Sequence, residues 1–170
     1  YTELILDDVY GEIPQLVREK LERVEHSSKH LLKLIEAVLD ISRIEAGRFT
    51  LSIQKYSLDD IVRTAVIALE NEAAAKTLKL TASVPSHLPI GLGDERRLTQ
   101  VLLNLVGNAI TYTDTGRVDI SVGVCANSFI VTVTDTGMGI AAENQERIFE
   151  SFEQAHASPT RVQKGAGLGL

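Results

Sequence analysis

The sequence predicts an α+β protein: a helical hairpin followed by a sandwich in which helices cover one face of a mixed sheet. Three observations carry that reading. Residues Pro14 to Ala46 contain no glycine, and their apolar positions recur at helical spacing. From Phe49 onward, helical stretches and alternating strand-like stretches succeed one another. Val118, Ile120, Val122 and Val124, then Phe129, Val131 and Val133, alternate on either side of a short connection at Cys125–Ser128, as an antiparallel hairpin requires.

In chain order, Tyr1–Val9 reads as the tail of a helix ended by Tyr10-Gly11-Glu12. In the long helix that follows, steps of four and three from Val17 reach Leu21, Val24, Ser28, Leu31, Ile35, Val38 and Ser42. That is a coiled-coil-like seam broken by two serines. Leu32, Leu34, Leu39 and Ile41 widen the stripe beyond a two-stranded seam, as a bundle needs. One hairpin cannot cover such a stripe, so a homodimer through this segment is expected. Gly47 is a stop signal, which puts the domain boundaries at 1–47 and 48–170. Phe49–Ile53 is a short strand candidate. Ser57-Leu58-Asp59-Asp60 starts a helix running to about Lys76. Leu78–Val84 alternates as a strand, Pro85 to Pro89 is loop, and Asp94 can cap a helix through about Tyr112.

Composition excludes several functions. The chain has 170 residues, 44% of them hydrophobic and 24% charged, within the ordinary globular range. Its net charge of −6 speaks against nucleic acid and against an anionic membrane surface, which need clustered Lys and Arg. No apolar run approaches membrane-spanning length, and Glu3, Asp7 and Asp8 stand where a signal peptide would be basic. A cytoplasmic setting is expected, with any membrane anchor outside these residues. The single Cys125 lies in a strand-like run and is expected to be a buried neutral thiol. His26 and His30, four apart on the long helix, read as solvated side chains, while His87 and His156 lie in loop sequence without an evident partner.

Four motifs can carry chemistry. Asn104 and Asn108 project from one face of the helix after Asp94. Two amides beside an apolar stripe are costly unless satisfied, either by hydrogen bonds within the helix or by a hydrated divalent cation with phosphate oxygens. Asp135-Thr-Gly137-Met-Gly139-Ile140 follows a strand directly. There a carboxylate can accept hydrogen bonds from an exocyclic amine, and glycine lets the backbone approach a flat ligand. Arg147-Ile-Phe149-Glu-Ser-Phe152 brings two aromatics, for which core packing is the simplest reading. Lys164-Gly165-Ala-Gly167-Leu-Gly169-Leu has the composition of a flexible lid whose amides can cradle phosphate.

Taken together, the order and spacing of these motifs resemble the bacterial sensor histidine kinases of two-component signalling. Their ATP-binding domain has the Bergerat fold shared with the gyrase, Hsp90 and MutL ATPases. Asn104–Thr113 resembles the family's N box, Asp135–Ile140 its G1 box, Ile148–Phe152 its F box and Gly165–Leu170 its G2 box. Val38-Leu-Asp-Ile-Ser-Arg-Ile-Glu-Ala-Gly47 is similar to the end of the second dimerisation helix, so the likeness covers almost the whole chain. The resemblance implies a histidine kinase core that binds ATP with Mg²⁺, forms a homodimer and passes phosphate to the receiver domain of a response regulator. It implies that Asn108 ligates Mg²⁺, with Asn104 supporting metal and phosphates. Asp135 would read the adenine amine, Gly137, Gly139 and Ile140 would border the base, and Tyr112 would contact its side of the pocket. Phe149 and Phe152 belong to the F box, Gly165, Gly167 and Gly169 to the lid, and Arg161 and Gln154 are further contacts on that side.

This sequence also departs from the family pattern. Its first residues, Tyr1-Thr-Glu-Leu-Ile-Leu, resemble the segment just after the H box, so the resemblance places the phosphoacceptor before Tyr1 and further sheet elements after Leu170. The N-box lysine that reaches phosphate is Thr111 here, the usual lid Thr or Ser is Ala166, and Lys164 stands where Gly is common. Those substitutions keep a degenerate, non-catalytic dimerisation or nucleotide-sensing module as the alternative. An ATP hydrolase of the gyrase type is disfavoured, because the resemblance puts Asn104 where those enzymes use a Glu base, and an amide takes no proton from water at neutral pH.

Overall fold

The computed structural model describes residues 1–145, apart from the side chains of His30 and Lys33, and divides into two units, Tyr1–Thr50 and Leu51–Leu170. In the first unit, α1 (Thr2–Leu6) is followed by α2 (Gln15–Glu45). The opening helix is thus shorter than its sequence suggests: Asp8 takes a positive φ of 56° and breaks it. Arg18 holds the break, donating to the Leu6 carbonyl and to Asp8, each at 2.6 Å. Pro14 caps α2, and Gly47 ends it at φ 65°, where Gly47 N–H meets the Ile44 carbonyl and Arg48 N–H the Arg43 carbonyl. At 31 residues α2 is about 46 Å long. Its seam is open: Val17, Val24, Leu31, Ile35 and Val38 are all exposed.

The second unit contains β1 (Gln54–Tyr56), α3 (Leu58–Ala75), β2 (Lys79–Ser83), β3 (Gly91–Gly93), α4 (Glu95–Tyr112), β4 (Arg117–Cys125) and β5 (Ser128–Asp135). The larger sheet has the order β2-β4-β5, with β2 parallel and β5 antiparallel to β4. It is therefore mixed. Val118, Ile120 and Val122 of β4 turn toward the helices and join Leu58, Ile61, Val62 and Ala65 of α3 and Leu102, Val106, Ala109 and Ile110 of α4 in one core. Phe129, Val131 and Val133 of β5 pack against its edge. Among the described residues, no helix is long and apolar enough to cross a membrane.

Three local expectations are corrected. The strand expected at Phe49–Ile53 begins instead at Gln54, because β1 pairs with β3 in the register Gln54–Gly93 to Tyr56–Gly91. Before that register, Ser52 N–H turns to the Asp94 carboxylate rather than to a strand. β3 itself lay unread, since Gly-Leu-Gly has little strand propensity. Gly91 is required there: a Cβ would lie 2.4 Å from the Tyr56 ring. Cys125 is exposed rather than buried, because it ends β4 at the hairpin tip on the face of Asp119 and Ser121, opposite the one that Val118, Ile120 and Val122 bury against the helices.

Candidate functional site

The site is organised around the C-terminal end of α4. Asp94 starts this helix, accepting from Arg97 N–H at 3.1 Å and from Ser52 N–H at 2.9 Å. Those two backbone donors hold its carboxyl below the usual aspartate range. One face of α4 buries Leu102, Val106, Ala109 and Ile110. The adjoining face presents Asn104, exposed, and Asn108, half-buried. Neither amide has a hydrogen-bond partner among the described residues. Tyr112 continues the same i, i+4, i+8 row and is 52% exposed. From Asn104 to Tyr112 the row spans about 12 Å. That length suits a ligand with a planar group at one end and anionic groups at the other.

The Asp135 turn closes against the Tyr112 end. β5 delivers Asp135 to an exposed position, and its Oδ1 accepts from Gly137 N–H at 2.8 Å. Among the described residues its other carboxylate oxygen has no partner and can receive a ligand's amine. A Cβ at residue 137 would lie 2.6 Å from the Tyr112 carbonyl and 3.0 Å from the Thr113 hydroxyl, so only glycine lets the turn approach α4 this closely. Gly139 adopts φ 69° with open space beside it, and Met138 and Ile140 are exposed. Polar carboxylate, bare backbone and apolar side chains therefore meet at one end of the Asn row.

Three supporting residues were missed in the sequence. Thr136 Oγ1 accepts from Arg117 N–H at 3.0 Å and lies 3.3 Å from the Thr115 carbonyl, fixing the turn to β4. Its place inside Asp-Thr-Gly was the available signal. Thr113 is fully buried, and its hydroxyl has no partner among the described residues. Lys76, at the end of α3, donates to the carbonyls of Ile110, Thr111 and Thr113. No local pattern marks a contact between residues this far apart in sequence. On the outer face of the sheet, Asp119 receives bonds from Thr81 and Arg117, which lower its pKa. It is part of the sheet, not of the site.

The structure thus brings Asn104, Asn108 and Tyr112 onto one helix face and sets Gly137 against its end, with Asp135, Gly139 and Ile140 in the same turn segment. Phe149, Phe152, Gln154, Arg161, Lys164, Gly165, Ala166, Gly167 and Gly169 lie outside the described residues, as does His156. His26 and His87 are exposed.

Comparison with known proteins bears on the family of the chain. Residues 93–170 match the family described as histidine kinase-, DNA gyrase B- and HSP90-like ATPase. The signal transduction histidine-protein kinase BarA of Escherichia coli is 39% identical over 165 residues, covering 94% of this chain and 18% of BarA. The non-motile and phage-resistance protein of Caulobacter vibrioides is 37% identical over 176 residues, covering 100% of this chain and 21% of that protein. Among solved structures, full-length ShkA in complex with AMPPNP superposes with a TM-score of 0.76 at 31% identity, covering 99% of this chain and 35% of ShkA. The chain spans about a fifth of the length of those two curated relatives. With the ATPase match beginning at residue 93 and kinase relatives aligned along nearly its whole length, the chain belongs to the sensor histidine kinase family.

Proposed function

We propose that this chain is the dimerisation and ATP-binding core of a protein histidine kinase. The observation that carries the reading is the continuous row from the amides of Asn104 and Asn108, which have no hydrogen-bond partner among the described residues, through Tyr112 to the Asp135–Gly137 turn. Adenine sits at the turn, with its exocyclic amine donating to the free carboxylate oxygen of Asp135 and its face against Tyr112 and Ile140. The phosphates run along α4 toward Asn108 and Asn104. The amide oxygens of that pair suit Mg²⁺, which prefers oxygen ligands; Asn108 would hold the ion, which supplies charge neutralisation at the phosphates. Phe149 and Phe152 would border the pocket, and Arg161 with Gly165, Gly167 and Gly169 would cover the phosphates.

The reaction transfers the γ-phosphoryl group to a histidine nitrogen: the bond between the γ-phosphorus and its bridging oxygen breaks, a P–N bond forms, and ADP leaves. An Asp in a receiver domain then takes the group. Positioning and electrostatics supply most of the catalysis in such transfers, which is what a pre-formed row of ligands offers. Asn104 favours transfer over hydrolysis, since its amide cannot deprotonate water. Two copies associate through α2, whose apolar seam is otherwise left in water.

The test is to incubate the full protein containing this chain with γ-labelled ATP. Phosphate on protein that is stable to base and lost in acid supports the kinase. Release of inorganic phosphate without protein labelling identifies a hydrolase, and nucleotide binding without either identifies a sensing module.

A further inference from the structure

Helices α3 and α4 both end near Lys76. α3 terminates in a left-handed turn, with Thr77 at φ 56°. There Thr77 N–H bonds the Ala74 carbonyl and Leu78 N–H the Ala73 carbonyl, both at 2.9 Å. Leu78 and Ala73 are buried together, which anchors the turn in the core. That anchor sends the Lys76 side chain across to α4. Its Nζ donates to the carbonyls of Ile110 and Thr111 at 2.7 Å each and to that of Thr113 at 3.2 Å.

The last carbonyls of α4 are thereby accounted for one by one. Ala109 receives Thr113 N–H, and Ile110 and Thr111 receive the ammonium. The Tyr112 carbonyl lies against Gly137, 2.6 Å from where a Cβ would be. A helix end carries partial negative charge, and here two ends lie beside one cation. A compact ammonium can converge on three oxygens at once, which a planar guanidinium is poorly shaped to do.

We propose that Lys76 is a positioning residue for base recognition, an inference that rests on the nucleotide reading above. By fixing the carbonyls on either side of Tyr112, it sets where that carbonyl and the Thr113 hydroxyl meet Gly137, and so where Asp135 presents its carboxylate. Lys76 touches no ligand itself. Its effect falls on the base end of the row and leaves the phosphate end, a turn or more earlier on α4, unchanged.

The experiment measures adenosine, ATP and inorganic tripolyphosphate binding by calorimetry to the 170-residue chain and to Lys76→Met. Met keeps the apolar stem and removes the donors. Adenosine and ATP should each weaken about tenfold, with tripolyphosphate unchanged within twofold. A merely structural role would weaken all three together, and that result overturns the proposal, as does unchanged adenosine affinity. If Lys76→Met does not fold, Lys76→Arg decides: at least a threefold loss for adenosine without loss for tripolyphosphate supports the proposal, and equal affinities overturn it. Wild-type chain that binds neither adenosine nor ATP would sink the nucleotide site itself. Wild-type binding with indifferent variants would sink only the role of Lys76.

Discussion

The two units solve the same problem in opposite ways. Residues 51–145 bury their apolar positions inside one chain, with Ile61, Val62, Val106, Ile110, Val118 and Ile120 all at 1% exposure or less. Residues 1–50 contain no buried side chain among those described, and Leu31, Leu32, Ile35, Val38 and Leu39 remain 45–59% exposed. A seam side chain that is fully covered contributes about 1.5–3 kcal/mol, which α2 forgoes until another helix packs on it. The lesson is a division of labour. The second unit carries its own core and can hold a precise site, whereas the first leaves its apolar seam uncovered within one chain.

Mutations should separate the two. The largest stability effect falls in the core: Ile110→Ala should destabilise the second unit by about 2–5 kcal/mol. Thermal unfolding would show it, and sedimentation should find association through α2 unchanged. Ile35→Glu should do the reverse, shifting a dimer to monomer in sedimentation while the melting of the second unit stays put. A monomeric wild type at high micromolar concentration would break the comparison outright.

A smaller change sharpens the site. Thr111 lies three residues past Asn108, and a lysine there exchanges a neutral hydrogen bond for a charge-assisted one, a gain of about 1 kcal/mol. Thr111→Lys should tighten ATP several-fold and leave adenosine unaffected, as competition binding would show. Smallest is a pH effect at Asp94. Its carboxyl is held down by the Ser52 and Arg97 amides, so its contribution is complete above the unfolded aspartate value of about 3.9 and disappears as pH falls through the lower folded value. Asp94→Asn should flatten that part of the acid unfolding profile, and an unaltered profile would remove the cap from the account.

Much of this was legible because the signals are local. Asp94 and Ser57 announced their helices as N-caps, each accepting from a backbone N–H three residues on. The alternation of Val118, Ile120 and Val122 announced the buried face of β4, and the Asp-x-Gly-x-Gly turn announced a backbone bare enough for a ligand. What sequence withheld is long-range. β3 is a strand because it pairs with β1, where Gly91 leaves the space that the Tyr56 ring takes. Lys76 matters only because α3 and α4 end side by side. Val124 keeps the parity of Val118, Ile120 and Val122 yet is 50% exposed, beyond the layer that covers them. In each case the deciding neighbour is dozens of residues away or is a boundary of the packing.

The central claim is that Asp135 reads an adenine base at the end of the Asn104–Tyr112 row. Asp135 is exposed and packs in no core, so Asp135→Ala should leave the unit folded and cost it no more than the bond from Gly137 N–H. Calorimetric titration with ATP should show saturable binding to the wild-type chain and none to this variant. Equal affinity in the two proteins would contradict the account.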